Sequence, residues 1–335
     1  MRKINVAING FGRIGRMTAR VILKKTTMDL VAVNDLTDSN TLAYLFKYDS
    51  IHRAYQGKVG VDGNNLHIDD RIIKVYNEKD PSNLPWKELK VDVVLECTGK
   101  FLDAQHASAH LNSGAGKVIL SAPSKDKDGI KIIVIGVNDH LITGDEKIIS
   151  NASCTTNNAA PMLKVLDDQF GIEQAFATTV HSYTGDQNIH DGPHRDLRRA
   201  RAAAVNIIPT STGAAKALND VLPGLKGKIG GAGIRVPVPD GSLTDITCVL
   251  KKVVTVDEIN SAFKKASETY LKEILEYTTD PIVSSDIIDS TRSCVFDSQL
   301  TSVLGKMVKV VGWYDNETGY SNRLAELAEI ISKSN

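Results

Sequence analysis

Hydrophobic and polar positions follow two different rhythms along this chain. In the first half, short runs rich in β-branched residues alternate with segments whose apolar residues recur at helical spacing. That alternation is typical of βαβ units, which build a parallel sheet covered by helices. The predicted helices are Arg13 to Lys25, Thr37 to Tyr48 and Phe101 to Ser113. The predicted strands are Ile4 to Asn9, Leu30 to Asn34, Val91 to Cys97, Lys117 to Ser121 and Ile130 to Gly136.

The rhythm changes after Cys154, where long alternating segments replace the short apolar runs. Leu243 to Val254 and Val308 to Trp313 alternate in the manner of antiparallel strands with one buried face. Helices are expected there too, because Thr255-Val256-Asp257-Glu258 is a capping box with apolar residues after it. The chain of 335 residues also exceeds the ~250–300 at which single cores stop growing. We therefore predict a doubly wound α/β domain over 1–150, then an α+β domain with a mostly antiparallel sheet.

Composition narrows the function classes. Forty basic residues balance forty acidic ones, so net charge gives no reason to expect nucleic acid or a membrane as the main partner. The four cysteines are widely spaced with no Cys-x-x-Cys pair, which argues against a metal site and suits a reducing compartment. No apolar stretch approaches the ~20 residues of a membrane span. A cytoplasmic protein without a bound metal is expected.

A dinucleotide fingerprint follows the first predicted strand. Gly10-Phe11-Gly12-Arg13-Ile14-Gly15 joins that strand to a predicted helix, which is the context the motif requires. Gly10 permits the tight turn, Gly12 lets the backbone approach a pyrophosphate, and Gly15 allows close helix packing. Asp35 ends the second predicted strand about twenty residues later, where a carboxylate accepts from ribose hydroxyls and repels a 2′-phosphate. The motif predicts a Rossmann-type domain that binds NAD rather than NADP.

A cysteine stands among hydroxyl and amide residues in Asn151-Ala152-Ser153-Cys154-Thr155-Thr156-Asn157, where a strand-like run gives way to a helical pattern. A helix N-terminus stabilises a thiolate, so we expect a pKa below the ordinary ~8.5. The alternative, a small buried hydrophobe, fits these polar neighbours poorly. Pro161 lies too deep for a first-turn proline, which predicts a kink or a frayed first turn.

NAD and an activated thiol together suggest aldehyde oxidation, in which the thiolate adds to the carbonyl and the adduct loses hydride to give a thioester. A base is then needed to deprotonate the adduct. His181 is the best candidate, because it stands at the end of the strand-like run Ala175 to Val180. His190 and His194 are expected to be loop residues. For the other histidines a surface or structural role is expected: His52, His67, His106, His110 and His140.

Two segments suit phosphate groups. Pro209 to Lys216 holds a hydroxyl cluster and a glycine at the start of a predicted helix, although an ordinary helix cap has the same composition. Five arginines lie near hydroxyl-rich turns, and guanidinium is well suited to phosphate. They are Arg195, Arg198, Arg199, Arg201 and Arg235.

These motifs occur in the order and approximate separation found in one family. The chain resembles phosphorylating glyceraldehyde-3-phosphate dehydrogenases from end to end. The resemblance rests on Asn5 to Arg16, Asn34-Asp35, Asn151 to Asn157, Thr179 to Gln187, Leu197 to Ala203, Pro209 to Lys216 and Trp313 to Asn322.

The resemblance implies a role for each site residue. Cys154 matches the nucleophile and His181 the base, with the Cys154 N–H and protonated His181 stabilising an oxyanion. Thr184 and Arg235 match positions that hold the substrate's own phosphate, and Arg199 stands between the two phosphate pockets. The positions that receive inorganic phosphate are Ser153, Thr155, Thr212 and Gly213. Beside the three glycines, the implied NAD contacts are Arg13, Ile14, Asp35, Lys79, Ser121 and Asn316.

The same resemblance implies oxidation of glyceraldehyde 3-phosphate to 1,3-bisphosphoglycerate, with NAD and inorganic phosphate, by a homotetramer. Ser182 to Arg201 resembles the loop that packs at the subunit interface, and Gly192-Pro193 within it is typical of NAD-preferring members. The implied catalytic domain covers 151–316, and a C-terminal helix within 317–335 packs back on the first domain. The chain departs from many members at Asn158, where they carry a second cysteine; its absence should prevent an intramolecular disulfide with Cys154.

Two alternatives stay open from the sequence. Erythrose-4-phosphate dehydrogenase shares the nucleophile and base but hydrolyses its acyl intermediate, and Thr212-Gly213 favours the phosphate-using enzyme. A Rossmann-fold binding protein could instead use the arginines for nucleic acid. The intact Cys154 and His181 pair argues against that class.

Overall fold

The computed structural model describes residues 2–126 and 129–333, so the last two residues of the predicted 317–335 segment lie outside it. Contacts divide the chain into two units. The first holds the chain up to Ile133, then His140–Ala152 and the chain from Ser321 onward. The second holds Val134–Asp139 and Ser153–Tyr320.

The described residues of the first unit form a nine-stranded sheet. The strands are β1 (Ile4–Asn9), β2 (Met28–Asn34), β3 (Val59–Asp62), β4 (Asn65–Ile68), β5 (Arg71–Tyr76), β6 (Val93–Glu96), β7 (Lys117–Leu120), β8 (Lys131–Ile132) and β9 (Ile148–Ser150). The parallel centre of the sheet has the order β2-β1-β6-β7-β9, continued by β8 on one side and β5 on the other. The helices between these strands are α1 (Arg13–Leu23), α2 (Ser39–Lys47) and α3 (Ala104–Asn112).

Two features of this sheet differ from the sequence prediction. The antiparallel strands β3 and β4, and β5 beside them, were not predicted, although Gly63-Asn64 between β3 and β4 is a hairpin signal. The predicted strand Ile130 to Gly136 is wrong beyond two residues, because only Lys131–Ile132 pairs. The apolar residues that follow are buried in a turn, in which Gly136 adopts a left-handed φ of 82°.

The second unit contains an eight-stranded, mostly antiparallel sheet. Its strands are β10 (Ile172–Ser182), β11 (Ile208–Thr210), β12 (Ile229–Val236), β13 (Ser242–Leu250), β14 (Leu275–Thr278), β15 (Cys294–Asp297), β16 (Ser302–Leu304) and β17 (Met307–Tyr314). Their order is β11-β12-β10-β13-β17-β15-β14, and β16 pairs with β17. The helices are α4 (Cys154–Phe170), α5 (Ala214–Val221) and α6 (Val256–Glu268). The predicted capping box at Thr255 is present at the start of α6. The predicted fold class is confirmed for both units.

The helix after Ser153 is more regular than predicted. α4 begins at Cys154 and runs without interruption through Pro161, so the predicted frayed first turn is wrong, while the predicted kink at Pro161 stays a prediction. Ser153 caps the helix, because its Oγ accepts from the Thr156 N–H at 3.1 Å. The side chain of Asn157 adds a bond to the Ser153 carbonyl at 3.0 Å. These bonds fix the first turn on which the cysteine sits.

The C-terminal helix α7 (Thr318–Lys333) belongs to the first unit from Ser321 onward. Lys25 forms an ion pair with Glu329 at 2.9 Å. The buried Lys117 donates from Nζ to the Ile331 carbonyl at 2.8 Å, near the end of the helix where carbonyls lack helical partners. Among the described residues, no helix is both long and apolar enough to cross a membrane.

The second and third glycines of the fingerprint have different surroundings, which predicts different effects of alanine substitution. A Cβ on Gly15 would lie 2.1 Å from the Gly10 carbonyl oxygen, whereas one on Gly12 would meet no atom within 4 Å. We therefore expect Gly15→Ala to lower the free energy of unfolding by about 1–3 kcal/mol through overpacking. Gly12→Ala serves as the matched control and should leave it nearly unchanged. Urea unfolding followed by circular dichroism measures both, and equal effects would contradict the packing argument.

Candidate active site

Cys154 is the first residue of α4, and the chain makes a sharp turn before it. Ala152 adopts a positive φ of 55° although it is not glycine, and it is fully buried. Such a left-handed residue is uncommon and costs conformational energy, so the surrounding structure holds it in place. The turn connects strand β9 to the helix and presents the thiol at the helix N-terminus.

His181 lies near the end of β10, opposite the cysteine. Its Nε2 is 3.4 Å from Cys154 Sγ, and the side chain is buried. Its Nδ1 is 2.8 Å from the Ser182 carbonyl oxygen and 2.9 Å from Arg235 NH1. Strands β10 and β12 are parallel neighbours in which His181 and Arg235 are register partners. Strand pairing therefore brings the guanidinium beside the imidazole.

The three contacts of Arg235 NH1 bear on the protonation of His181. NH1 lies 2.9 Å from the Ser182 carbonyl oxygen and 3.0 Å from Thr184 Oγ1, as well as beside Nδ1. A guanidinium only donates, so the contact with Nδ1 favours the tautomer in which that nitrogen is bare. The Ser182 carbonyl only accepts, so its contact with Nδ1 favours the opposite tautomer, and Arg235 and Ser182 compete for the same ring nitrogen. If Arg235 leaves, Nδ1–H can donate to the Ser182 carbonyl instead.

Burial controls the pKa values of the pair. The pKa of His181 is lowered to about 3, first by burial and second by the positive charge of Arg235. The pKa of the Cys154 thiol is raised by burial, although Arg235 and the Thr155 N–H act in the opposite direction. The predicted depression of the thiol pKa is therefore wrong in direction. The helix N-terminus acts as expected, but desolvation outweighs it in the ligand-free site.

Hydroxyl and charged side chains next to Arg235 are connected by a continuous series of hydrogen bonds. Thr184 Oγ1 accepts from Arg235 and donates to Asp186, whose other carboxylate oxygen accepts from Arg199 NH1 at 2.6 Å. Arg199 Nε donates to Thr210 Oγ1 at 2.9 Å. The structure thus connects Arg235, Thr184 and Arg199, three of the residues expected to bind phosphate.

The remaining phosphate-pocket candidates lie at two helix starts. Ser153 is engaged with Thr156 through its hydroxyl at 2.8 Å, and Thr155 is bonded to the Tyr314 hydroxyl at 3.0 Å. Thr212 Oγ1 accepts from the Ala214 N–H at 3.1 Å, in front of α5. A Cβ on Gly213 would meet nothing within 4 Å, so the backbone is open at that point.

A cavity of about 510 Å³ lies in the first unit at the carboxyl ends of its parallel strands. Asp35 borders it, with one carboxylate oxygen accepting from the Phe11 N–H at 2.8 Å and the other from the Thr37 N–H at 3.0 Å. The lining residues are Asn9, Gly10, Gly12, Asn34, Asp35, Leu36, Glu78, Lys79, Cys97, Thr98, Lys100 and Phe101.

The other expected cofactor contacts lie elsewhere. Ile14 and Gly15 belong to the first turn of α1, and Ser121 follows β7 directly. Arg13 forms an ion pair with Asp49 at 2.6 Å. Asn316 lies in the second unit, where its Oδ1 accepts from the hydroxyls of Ser182 at 2.9 Å and Ser242 at 2.7 Å.

The cavity fits a dinucleotide. Gly10 has a φ of 92°, which lets the chain turn sharply from β1 towards α1. The space above Gly12 is open where a Cβ would project, so a phosphate can approach the backbone there. Asp35 holds its carboxylate at the end of β2, the place of the ribose-binding acid in this motif.

Comparison with known proteins decides the family. The model of the glyceraldehyde 3-phosphate dehydrogenase NAD binding domain matches residues 4–104, and that of the C-terminal domain matches 153–316. The chain belongs to the glyceraldehyde-3-phosphate dehydrogenase family. It is 55% identical over 331 residues to the glyceraldehyde-3-phosphate dehydrogenase of Geobacillus stearothermophilus, covering 98% of both chains. It is 53% identical over 338 residues to that of Mycobacterium avium, covering 99% of both.

Membership confirms the predicted resemblance and the NAD cofactor of a glyceraldehyde-3-phosphate dehydrogenase. Sequence reasoning missed Tyr314, whose hydroxyl bonds both Thr155 and Thr179 and whose ring stands edge-on to His181 at 5.9 Å. Burial first, and then Cys154, raise the pKa of this phenol. Its position after a predicted strand was the only available signal. Asn158 donates to the Ser293 and Trp313 carbonyls at 3.4 and 3.2 Å, so an amide occupies the position of the second cysteine.

The pairing of His181 with Arg235 predicts a shift in titration. In Arg235→Gln the guanidinium charge is gone while the burial stays, so we expect the pKa of His181 to rise from about 3 without reaching its ordinary 6.5. A histidine whose pKa is depressed by folding stabilises the fold above the ordinary pKa and loses that contribution as pH falls, so the variant should lose less stability in acid.

Nuclear magnetic resonance of ¹³C-labelled histidine measures this titration. Arg201→Gln is the matched control, because Arg201 is exposed and paired with Asp191 at 2.9 Å. An unchanged His181 titration in Arg235→Gln would contradict the electrostatic account.

Proposed function

We propose that this chain is an NAD-dependent, phosphorylating glyceraldehyde-3-phosphate dehydrogenase of glycolysis. The observation that carries the proposal is the 3.4 Å approach of Cys154 Sγ to His181 Nε2 in a chain of this family. Curated relatives at 53–55% identity over nearly the full length bear the same name. The reaction converts glyceraldehyde 3-phosphate and inorganic phosphate into 1,3-bisphosphoglycerate.

The NAD-binding domain covers 1–150, the C-terminal helix within 317–335 packs back on it, and the catalytic domain covers 151–316. Asp35 binds the ribose hydroxyls, and the backbone from Gly10 to Gly15 faces the pyrophosphate. The further contacts are Arg13, Ile14, Lys79, Ser121 and Asn316. When bound, NAD supplies the hydride acceptor.

With the ring proton of His181 on Nδ1, its Nε2 takes the thiol proton of Cys154 as Sγ adds to the aldehyde carbon. The carbonyl oxygen becomes an oxyanion, which the Cys154 backbone N–H and the Nε2–H of His181 stabilise. The helix N-terminus of α4 faces the same charge, and its dipole favours an anion. The oxyanion takes the Nε2 proton, which gives a hemithioacetal.

Arg235 and Thr184 bind the phosphate of the substrate. A phosphate dianion is a stronger acceptor than a neutral imidazole or carbonyl, so it draws the guanidinium away from His181. With the guanidinium withdrawn, the single ring proton is held on Nδ1, which donates to the Ser182 carbonyl. The Nε2 lone pair is then directed first at the Cys154 thiol and, after addition, at the hemithioacetal hydroxyl. His181 accepts that proton as hydride leaves the same carbon, and a thioester remains on Cys154.

Inorganic phosphate then attacks the thioester carbonyl. Ser153, Thr155, Thr212 and Gly213 offer hydroxyl and backbone N–H donors for it, and Arg199 supplies a positive charge between the two phosphates. The carbon–sulfur bond breaks, Cys154 leaves as a thiolate and an acyl phosphate is released. The energy of oxidation is thereby kept in a mixed anhydride.

We also propose a cytoplasmic homotetramer. The segment from Ser182 to Arg201 and the chain just after it expose large apolar side chains, with Leu197 82% and Val205 75% accessible. Exposed apolar groups that cluster along one segment are typical of an interface. Nucleic acid is not expected as the main partner, because the charges balance.

The competing functions differ in what becomes of the thioester. Erythrose-4-phosphate dehydrogenase would hydrolyse the thioester, and a binding protein would not form it. The open backbone at Gly213 and the Arg199 bond to Thr210 favour an anion as the acceptor. The curated names of the relatives support the triose enzyme.

NADH formation from glyceraldehyde 3-phosphate, with and without inorganic phosphate, tests the proposal. The wild type should turn over many times with phosphate and stop after about one NADH per chain without it, because the thioester has no acceptor. Cys154→Ser should lose turnover by at least ~10³-fold, since the nucleophile is removed. Cys248→Ser is the matched control, because Cys248 is buried in β13 and has no assigned role. Sustained turnover without phosphate would favour the hydrolytic enzyme and contradict the proposal.

A further inference from the structure

A buried polar row crosses the carboxyl ends of three parallel strands below the cofactor cavity. Asn9, Asn34 and Glu96 are the last residues of β1, β2 and β6, and Asn9 is the register partner of both others. Asn34 Nδ2 donates to Asn9 Oδ1 at 2.7 Å, and Asn9 Nδ2 donates to Glu96 Oε2 at 2.6 Å. None of the three is more than 4% exposed. We call this row the strand-end crossbar.

Both carboxylate oxygens of Glu96 accept hydrogen bonds from several donors. Its Oε1 accepts from the Thr98 N–H at 2.8 Å and from the Thr98 hydroxyl. Its Oε2 accepts from Asn9 and lies 3.1 Å from His110 Nε2. Four donors thus converge on one carboxylate that water does not reach. A side chain with fewer acceptor sites would leave a buried donor unpaired, which is costly.

The tautomer of His110 is set from its other side. The Trp86 indole Nε1 lies 3.0 Å from His110 Nδ1, and both residues are fully buried. An indole only donates, so Nδ1 must accept. The ring proton is therefore on Nε2, where it donates to Glu96. Trp86 and His110 extend the crossbar and keep its last donor pointed at the carboxylate.

Each strand of the crossbar leads directly into a segment that lines the cavity. Gly10 follows Asn9, Asp35 follows Asn34, and Cys97-Thr98 follows Glu96. Asn34 also bonds the backbone of Glu78, donating to its carbonyl at 2.9 Å and accepting from its N–H at 2.8 Å. Glu78 and the next residue, Lys79, line the cavity as well. One network therefore joins four separate cavity segments.

We propose that Glu96, with His110 and Asn9, is a positioning residue for the ADP-ribose half of NAD. The turn after β1 and the acid after β2 are the parts of this motif that take the pyrophosphate and the adenosine ribose. A shift of one strand end against the next would move these donors and acceptors apart. The inference rests on the proposed NAD site but concerns binding rather than turnover.

Calorimetric titration with ADP-ribose tests the inference on the full chain without any reaction. Glu96→Gln replaces an acceptor by a donor that faces other donors, so we expect roughly 5- to 30-fold weaker binding. The KM for NAD should rise in parallel, while the KM for glyceraldehyde 3-phosphate at saturating NAD stays within about twofold. Wild-type affinity for ADP-ribose in a folded Glu96→Gln would overturn the inference.

Two substitutions at His110 separate positioning from simple stability. Glutamine can place an amide N–H near the position of Nε2 and keep the bond to Glu96, whereas asparagine can reach only the position of Nδ1. We expect both to lower the thermal midpoint, but only His110→Asn to weaken ADP-ribose binding. Trp313→Phe is the matched control, because it removes another buried indole bond, to Asp297 at 3.1 Å, in the second unit.

Unchanged ADP-ribose affinity in Trp313→Phe, with a lower thermal midpoint, supports the inference. Equal affinities of His110→Gln and His110→Asn for ADP-ribose would contradict it. A wild type that binds ADP-ribose but does not oxidise glyceraldehyde 3-phosphate would refute the proposed function and leave this measurement intact.

Discussion

The contact between Cys154 Sγ and His181 Nε2 depends on two local features of the chain: where one helix begins and where one strand ends. Ser153 caps α4 at the residue before the cysteine, and the left-handed Ala152 directs the chain into that helix. Strand β10 ends at Ser182, so His181 stands at the carboxyl end of an interior strand rather than in its middle. Nucleophile and base are thus held by secondary structure, which gives them little freedom to separate.

Strand pairing places the positive charge of Arg235 beside His181. Because Arg235 is the register partner of His181, it contacts the imidazole directly and is also a candidate for the substrate's phosphate. Burial raises the pKa of the thiol and lowers that of the histidine, so the ligand-free pair is held away from its charged state. A phosphate bound to Arg235 weakens one of the causes that lower the pKa of His181. Substrate binding and proton transfer then share a single side chain.

Much of this site follows from local sequence patterns. The fingerprint, Asp35, the capped helix of Cys154 and the strand of His181 all have short-range signals, and their elements are present in the structure. Desolvation depends on the whole fold, which is why the predicted direction of the shift in the Cys154 pKa was wrong. Tyr314 reaches the site from a distant part of the chain, and its position after a predicted strand is the only local signal for it. Asp186 lies close to His181 in the sequence, but no motif singles it out. The short antiparallel strands before β6 were missed because their runs are brief and partly polar.

Both units place their functional groups at the ends of strands, and buried polar contacts hold those ends in register. Glu96 makes these contacts in the first unit, and the Arg235–His181 pair makes them in the second. The proposed mechanism requires that Cys154 carries the acyl group. Mass spectrometry of peptides from enzyme quenched after mixing with glyceraldehyde 3-phosphate and NAD, without phosphate, tests this requirement. We expect one phosphoglyceroyl group per chain, on the peptide that contains Cys154 and removable by inorganic phosphate. An unmodified Cys154 after NADH release, or an acyl group on another residue, would contradict it.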